Sequence, residues 1–410
     1  MNTDFTAAPI GPTTSRAYRC VCGKPVFLRN SQCLNCGRQL GYDTQRRTIV
    51  AIDAGEAPGD WKLSDVEFGE IFHRCSNLEA PAACNWLIPG GTVDHRQTPT
   101  NLAPGYCLSC SLTHTIPDQS KPENQELWRR LEIAKRRLLS QLLSLALPVE
   151  TRIERPNGIA FDMLEEIPGG PKVLTGHDEG LITLNIGEAD DVQREKIRAA
   201  MHESYRTLLG HFRHEIGHYY WDRLVLNTQW HAPYRALFGD ESVDYAESLK
   251  RHYENGPPAD WPLHYVTSYA TTHPWEDWAE TWAHYLHMAD TVDTAASFGI
   301  DAKAVEIVID PYTPADLWQP DHPNADSFLN FLNSWLVLTQ ALNEFSRSMG
   351  QPDHYPFVLP REAIAKLHFI HEVIRSYSSP VALPVDPAAP PAAAPIVDAA
   401  DANTVPAAAH

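Results

Sequence analysis

Residues 210–224 read GHFRHEIGHYYWDRL and contain the short motif H-E-x-x-H. His214 and His218 are four residues apart, so on a helix both side chains lie on one face and can bind the same metal ion. Glu215 directly follows the first histidine and would project beside the open position of that ion. The chain contains 19 histidines in 410 residues, so a motif this short also arises by chance. Other segments must show whether it belongs to a metal site.

The motif predicts the chemistry of a metallopeptidase. A zinc ion lowers the pKa of a water that it binds, and Glu215 is placed to accept the proton of that water as it attacks a carbonyl. Two histidines do not complete such a site, because a catalytic zinc has three protein ligands and one open position. The metzincin continuation would put a glycine and a third histidine at the positions of Trp221 and Leu224. A third ligand must therefore come from farther along the chain.

The best source of a third ligand is the segment 268–290, SYATTHPWEDWAETWAHYLHMAD. Pro274 suits the first turn of a helix, where its missing N–H is harmless. Glu276 and Glu280 then lie on one face of that helix, one turn apart. We expect Glu276 to bind the metal and Glu280 to hydrogen-bond a ligand histidine. The other candidates for the third ligand are Glu280 itself, Glu241 and His284, and a solvent-exposed acidic stripe is the alternative to a metal site.

All eight cysteines precede residue 111, and the first four lie in the segment 18–38, YRCVCGKPVFLRNSQCLNCGR. A C-x-C pair and a C-x-x-C pair, each followed by glycine, are typical of the two knuckles of a zinc ribbon, with a short hairpin between them. Four thiolates around one Zn²⁺ supply the folding energy that so small a module lacks. A disulfide framework is the alternative. The predicted ligands of this structural zinc are Cys20, Cys22, Cys33 and Cys36.

The other four cysteines predict a second structural zinc. They comprise a pair with an unusual gap, Cys75 and Cys84, and a regular C-x-x-C knuckle, Cys107 and Cys110. Buried free thiols, or zinc sites that mix the two quartets, are the alternatives. A histidine can also replace one of these cysteines, and the candidates are His73, His95 and His114.

Composition and charge limit the class of protein. Hydrophobic residues make up 43% of the chain and no apolar run reaches about 18 residues, so we expect a globular protein that does not cross a membrane. The N-terminus lacks the features of a secretory signal, which favours a cytoplasmic location. The formal net charge of −19 argues against nucleic-acid binding by the whole chain. Residues 1–50, in contrast, carry a net charge of +5, which marks a separate N-terminal module.

The remaining segments predict a mainly helical domain with a few strands. Residues 124–145 repeat leucines at helical spacing, and residues 190–226, which contain the motif, indicate one long helical segment. GIAFDML (158–164) and GLITLNI (180–186) alternate apolar residues and predict strands. We expect the second strand to lie at the edge of the catalytic cleft, where an extended substrate can pair with it. From residue 379 the chain is rich in alanine and proline without aromatics, which predicts a disordered tail.

The histidine motif, the segment HPWEDWAETWAHYLH (273–287) and the cysteine pairs together resemble the bacterial zinc-binding metallopeptidases that carry a zinc-ribbon domain. The resemblance covers residues 17–375 and implies an α+β fold, in which zinc-ribbon modules precede a mostly helical zincin-like domain with a small edge sheet. It also implies one catalytic zinc beside one or two structural zinc ions. The family's label rests on the zincin motif, and its substrate is not established. The predicted divisions are a flexible N-terminus (1–16), the zinc-ribbon region (17–115), the zincin-like metallopeptidase domain (122–378) and the disordered tail (379–410).

A more distant similarity suggests a role for Tyr269. Residues 276–280, EDWAE, are similar to the E-x-x-A-E motif of the gluzincins of the anthrax lethal factor class. In that class the first glutamate binds the metal, and a tyrosine seven residues upstream helps to stabilise the oxyanion. The similarity implies these roles for Glu276 and Tyr269. An ordinary buried tyrosine near a helix start is the alternative.

Three functions fit these motifs. The first is a zinc peptidase acting on a peptide or protein, with Glu215 as general base and the oxyanion held by zinc and Tyr269. The second is a binding or adaptor protein whose ribbons recognise a protein or a nucleic acid, with the zincin fold as a non-catalytic scaffold. The few aromatics of the first module make nucleic acid the weaker partner. The third is a metal-dependent hydrolase of a non-peptide amide. The complete set of metal-site residues favours the peptidase.

Overall fold

The computed structural model describes residues 15–66, 69–90, 105–167, 169–200, 203 and 205–378. Residues 1–14 of the predicted flexible N-terminus, the predicted disordered tail and His95 lie outside these ranges. The strands are β1 (Gln39–Asp43), β2 (Thr48–Ala54), β3 (Trp61–Leu63), β4 (Phe72–Arg74), β5 (Leu87–Pro89), β6 (Thr113–Thr115), β7 (Ala160–Leu164), β8 (Gly176–Asp178) and β9 (Leu181–Asn185). The helices are α1 (Leu108–Ser111), α2 (Pro122–Ser144), α3 (Asp191–Ala200), α4 (Leu208–Tyr220), α5 (His231–Phe238), α6 (Tyr245–Asn255), α7 (Pro274–Ser297), α8 (Ala325–Ser348) and α9 (Arg361–Ser378).

The N-terminal region combines two cysteine knuckles with an antiparallel sheet. Antiparallel bridges enclose each cysteine pair, Arg19–Pro25 around the first and Gln32–Gln39 around the second. A sheet follows in the order β1-β2-β3-β4-β5, with each strand antiparallel to its neighbour. Tyr42 on β1 packs against Trp86, with ring centroids 4.6 Å apart, and both are fully buried. This aromatic pair anchors the sheet to the segment before β5.

The second sheet has the order β6-β7-β9-β8, and only its β8–β9 pair is antiparallel. The segments 158–164 and 180–186 contain β7 and β9, as predicted. The prediction that the second segment is the edge strand is wrong, because β8 pairs with the outer side of β9. Glu179 and Gly180 connect these two strands with positive φ values of 44° and 83°, as in the tight hairpin turns that match the twist of a strand pair. The edge strand next to β9 is therefore β8, and β6 lies at the opposite edge of the sheet.

The single long helical segment predicted for residues 190–226 is divided into α3 and α4. The hydroxyl of Thr207 accepts a hydrogen bond from the backbone N–H of Gly210 (3.0 Å) and caps the start of α4. Thr207 itself has an extended backbone (φ −134°, ψ 155°), which cannot belong to a continuous helix. After Tyr220 the chain continues as one π-helical turn, Trp221–Val225. The whole H-E-x-x-H motif thus lies within α4.

Helices α4 and α7 approach each other closely at Gly217. A Cβ atom at this position would lie 3.1 Å from Trp282 Cδ1 and 3.2 Å from Ala279 Cα. The carbonyl of Gly217 accepts a hydrogen bond from Trp278 Nε1 (2.8 Å), which ties the two helices together at the same place. A larger residue would separate the helices. Gly217 therefore sets the distance between the residues that α4 and α7 carry.

Helix α7 begins as predicted and is held from its far side by α9. Pro274 occupies its first turn, and the His273 side chain accepts a hydrogen bond from the N–H of Trp275 (3.1 Å). Lys366 on α9 donates to Asp277 (2.7 Å), and both side chains are buried. No helix in the described ranges is long and apolar enough to cross a bilayer. The predicted α+β class, in which a cysteine-rich N-terminal region precedes a mostly helical domain with a small sheet, is confirmed.

Candidate metal centre

His214, His218 and Glu276 come together where α4 faces the first turns of α7. One carboxylate oxygen of Glu276, Oε2, lies 3.0 Å from His214 Nε2 and 3.6 Å from His218 Nε2. Donor atoms bound at about 2.0–2.1 Å to a tetrahedral zinc are separated from one another by about 3.3 Å. The three side chains are therefore spaced as ligands of one ion.

The two oxygens of the Glu276 carboxylate have different surroundings. Oε1 accepts a hydrogen bond from the Tyr245 hydroxyl (2.7 Å). Oε2, which faces the histidines, is buried and has no hydrogen-bond partner. A buried polar atom without a partner is costly, and a metal ion would satisfy this one. Two imidazoles and one carboxylate are also donors that Zn²⁺ accepts, so the residues fit a zinc ion.

Glu280 lies behind His214 and outside this group of three. Its Oε1 is 2.6 Å from His214 Nδ1, and its Oε2 accepts a hydrogen bond from the Thr267 hydroxyl (2.7 Å). A proton on Nδ1 leaves the lone pair on Nε2, the nitrogen that faces Glu276. Such a contact fixes the tautomer and the orientation of a ligand histidine. This is the geometry expected for Glu280 as the hydrogen-bond partner of a ligand.

The other two candidates for a third ligand contact different residues. Glu241 lies 2.7 Å from His231 Nε2 and accepts a hydrogen bond from Arg235 (2.7 Å). His284 Nδ1 is 2.5 Å from the Tyr355 hydroxyl. The structure brings neither of them into the group formed by the motif histidines.

The carboxyl groups of Glu215 and Glu276 differ in electrostatic character. Burial raises the pKa of Glu215, and the nearby His214 and His218 only partly oppose this. A raised pKa suits a general base, because it brings the carboxylate closer to the working pH. Burial also disfavours the charged form of Glu276, but the two histidines outweigh it and hold its pKa well below the usual value. Glu215, the more basic of these two residues, is therefore the one that is not among the three proposed metal ligands.

Two tyrosines lie next to the histidines. The ring centroid of Tyr269 is 6.0 Å from that of His214, and the hydroxyl of Tyr245 donates a hydrogen bond to Glu276 (2.7 Å). Burial, followed by the charge of Glu276, raises the pKa of Tyr269, so its hydroxyl stays protonated and can donate. Sequence reasoning missed Tyr245. Its only signal was its place four residues after Glu241, in a segment considered only for a metal ligand.

Strand β8 lies beside the histidine pair. The ring centroid of His177 on β8 is 6.2 Å from that of His218, and Trp275 packs 3.8 Å from His218 and 6.1 Å from His177. Burial lowers the pKa of His177 to about 3, so its ring is neutral near pH 7. Sequence reasoning missed both residues. No spacing rule connects His177, on a strand, with the helical motif, and Trp275 was not singled out within the segment that carries Glu276. The edge strand and the candidate metal centre are therefore adjacent.

The first four cysteines form one group whose sulfur atoms all lie within 4.8 Å of one another. The Sγ–Sγ distances are 3.6 Å for Cys20–Cys36 and 3.7 Å for Cys22–Cys33. Thiolates bound at about 2.3 Å to a tetrahedral zinc are about 3.8 Å apart. Gly23 and Gly37, which follow the two pairs, have φ values of 81° and 74°, so each knuckle turns through a backbone conformation that favours glycine. This group fits a structural zinc.

The other four cysteines form a second, separate group, and all of them are buried. Cys84 Sγ lies 3.5 Å from Cys107 Sγ, again close to the spacing of zinc ligands. His73 and His114 are not part of the group, since their Nδ1 atoms approach the carbonyl of Gly59 (3.4 Å) and the carboxylate of Asp162 (2.7 Å). None of the eight cysteines forms a disulfide. The geometry separates the two quartets instead of mixing them.

Comparisons with known proteins agree with these two parts of the chain. The family described as "Putative zinc-binding metallo-peptidase" matches residues 124–373, and a zinc-ribbon domain matches residues 17–121. Uncharacterized proteins of Mycobacterium bovis and of two strains of Mycobacterium tuberculosis are each 40% identical over 364 residues, which cover 88% of this chain and 95% of theirs. No solved structure matches the chain. Because the family match covers more than half of the chain, the chain belongs to the zinc-binding metallopeptidase family, and it carries a zinc-ribbon domain before the region that matches this family.

Proposed function

We propose that the chain is a zinc-dependent peptidase in which His214, His218 and Glu276 hold the catalytic ion and Glu215 is the general base. The observation that carries this proposal is the position of Glu276 Oε2, which is buried without a hydrogen-bond partner and faces the Nε2 atoms of both histidines at 3.0 and 3.6 Å. A zinc ion bound there polarises a carbonyl and makes water more acidic.

In this proposal, four other residues have separate roles in hydrolysis. Glu215 accepts a proton from the water that attacks the carbonyl carbon, and it returns this proton to the amine when the C–N bond breaks. Tyr269 donates a hydrogen bond to the oxyanion that develops on the former carbonyl oxygen. Glu280 keeps His214 in the tautomer that leaves Nε2 free to bind the metal. Tyr245 holds Glu276 through its other oxygen.

The substrate in this proposal is a peptide or protein segment in extended form. Strand β8 is the end of its sheet and lies beside the histidines through His177. A Cβ atom added at Gly176 would meet nothing within 4 Å, so there is open space beside this residue of the strand. A substrate that pairs with β8 would gain backbone hydrogen bonds, and its side chains would determine specificity. We therefore propose that β8, and not the 180–186 segment, pairs with the substrate.

The proposal includes three zinc ions, one catalytic and one in each cysteine quartet. Thiolate zinc sites require reduced cysteines, and all eight are unpaired. This supports the cytoplasm as the working compartment, because thiols remain reduced there. A protein or peptide substrate, and not a nucleic acid, is the proposed partner.

A peptide library tests the reaction class. The zinc-loaded full chain is incubated with mixed peptides, and mass spectrometry identifies the products. We expect cleavage at defined bonds, its loss after brief treatment with a chelator, and its recovery on adding zinc. The brief treatment removes the His/Glu-bound ion first, because an open site binds less tightly than a closed thiolate cage. If a fully loaded chain cleaves no peptide or protein, the peptidase proposal is wrong and the adaptor function is favoured; turnover of non-peptide amides alone would favour the third function.

Phenylalanine substitutions separate the roles of the two tyrosines. Tyr269→Phe should lower kcat by about 10²-fold, the effect of losing one oxyanion donor, while leaving zinc affinity unchanged. Tyr245→Phe removes the hydrogen bond to Glu276 and should weaken zinc binding by about 10–100-fold. Zinc titration and steady-state kinetics measure both effects. Wild-type kcat in Tyr269→Phe would remove this residue from the mechanism.

A further inference from the structure

A second group of histidines and a carboxylate lies outside the candidate metal centre. Helix α9 contains the sequence HFIHE, residues 368–372, which places two histidines and a glutamate within about one turn. His322, in the turn before α8, meets them from a different part of the chain. His322, His368 and Glu372 each offer a ligand atom, and these atoms all lie within 4.8 Å of one another.

Two of the three distances between a histidine and the carboxylate in this group are too long for direct hydrogen bonds. His322 Nδ1 is 3.1 Å from Glu372 Oε2, and His368 Nε2 is 3.6 Å from Glu372 Oε1. His371 Nε2 faces the same Oε1 atom at 4.0 Å. Separations of 3.6 and 4.0 Å are too long for hydrogen bonds between nitrogen and oxygen. Two donors on a tetrahedral zinc are about 3.3 Å apart, and the distances of His322 (3.1 Å) and His368 (3.6 Å) from the carboxylate lie on either side of that value.

The polar atoms of this group are also left without partners. His368 is fully buried, and neither of its ring nitrogens has a hydrogen-bond partner. The same is true of His371 Nε2 and of Glu372 Oε1, in residues that are at least 97% buried. Buried polar groups are almost always satisfied, so this concentration of unsatisfied atoms around one carboxylate needs a physical cause. A cation between them supplies one.

We propose that His322, His368 and Glu372 bind a further zinc ion. Two imidazoles and one carboxylate are N/O donors that suit this ion. The ion would reach the site from the side of His322, whose side chain is 27% exposed. The side-chain amide of Asn324 also donates a hydrogen bond to Glu372 Oε2 (3.3 Å). The proposal does not depend on the peptidase activity.

The position of this site indicates a structural role. It joins the turn before α8 to α9, two segments that are more than 40 residues apart in the chain. His371 also contacts α7, because its Nδ1 lies 2.9 Å from the Tyr285 hydroxyl. Tyr285 follows Glu276 by nine residues, which is about 13 Å along the helix axis, so the site is distinct from the candidate metal centre. The ion would connect the start of α8 with α9, next to the helix that carries Glu276 and Glu280.

Zinc stoichiometry tests the proposal on the full chain. The protein is saturated with zinc, freed of excess ion, and its bound zinc is titrated against a chromophoric chelator. We expect four zinc ions in the wild-type chain and three in each of two variants, His322→Ala and Glu372→Gln. The first changes a partly exposed turn residue, and the second keeps the shape of a buried one, so at least one of them should fold. His264→Ala, which removes a partly exposed histidine outside the group, should keep all four ions.

A variant of the candidate metal centre makes the two proposals separable. His218→Ala should also lose one ion, and the double variant His218→Ala/His322→Ala should lose two. If the proposed catalytic site does not bind zinc, His218→Ala keeps the wild-type number while His322→Ala still loses one. If folded His322→Ala and Glu372→Gln both bind as many ions as the wild-type chain, the additional site does not exist.

Discussion

Glu215→Gln is expected to bind as much zinc as the wild-type chain and to lose nearly all peptide cleavage. The amide has the same size as the carboxylate and fits the same buried position, but it cannot accept a proton. Loss of a general base costs about 10²–10⁴-fold in rate. The fall should appear in kcat, with KM changed little, because Glu215 acts on the reacting water and not on the bound peptide. Zinc content and steady-state kinetics on the same preparation measure both halves of this result.

The control for this substitution is Glu306→Gln, which makes the same chemical change at an exposed residue. It should retain wild-type turnover and zinc content. A Glu215→Gln protein that cleaves at the wild-type rate would remove Glu215 from the mechanism. A protein that is inactive because it has lost one zinc would instead make Glu215 a ligand, contrary to the geometry in which Glu276 faces both histidines.

Glu276→Ala is expected to lose the catalytic zinc altogether, which distinguishes it from Glu280→Ala. Removal of Glu276 leaves only two protein ligands, one fewer than a catalytic zinc requires. Removal of Glu280 leaves the ligands in place but frees the ring of His214, so affinity or activity should fall by only about 10–100-fold. Zinc affinity from chelator competition, measured for both variants, gives the comparison directly.

Thr267→Val provides a graded control, because Thr267 contacts Glu280 and not the ligands. Its effect on zinc affinity should be smaller than that of Glu280→Ala. If Glu280→Ala loses the ion while Glu276→Ala retains it, Glu280 is the ligand and our assignment is wrong by one helical turn. The peptidase reaction would survive that result, but the role of Tyr269 would not, since it depends on the spacing from Glu276.

The local parts of the molecule were predictable from sequence because they depend on residues close together in the chain. The H-E-x-x-H spacing places His214 and His218 on one helical face whatever surrounds that helix. The glycine after each cysteine pair predicts the turn of a zinc knuckle, and both glycines adopt positive φ. Pro274 likewise predicts the first turn of α7. Alternation of apolar residues predicts β7 and β9 as strands, but not their order in the sheet.

Contacts between distant segments were decided only by the tertiary structure. Helical spacing puts Glu276 and Glu280 on one face of α7, but it does not say which of them meets the histidines. That choice follows from how far α7 is shifted along α4, which the packing around Gly217 determines. The edge position of β8, the contact of Tyr245 with Glu276 and the meeting of His322 with Glu372 have the same origin. Each of these contacts joins two segments whose sequence patterns do not say where they lie relative to each other. Side-chain periodicity specifies which face of an element is buried, but not the register in which two buried faces pack.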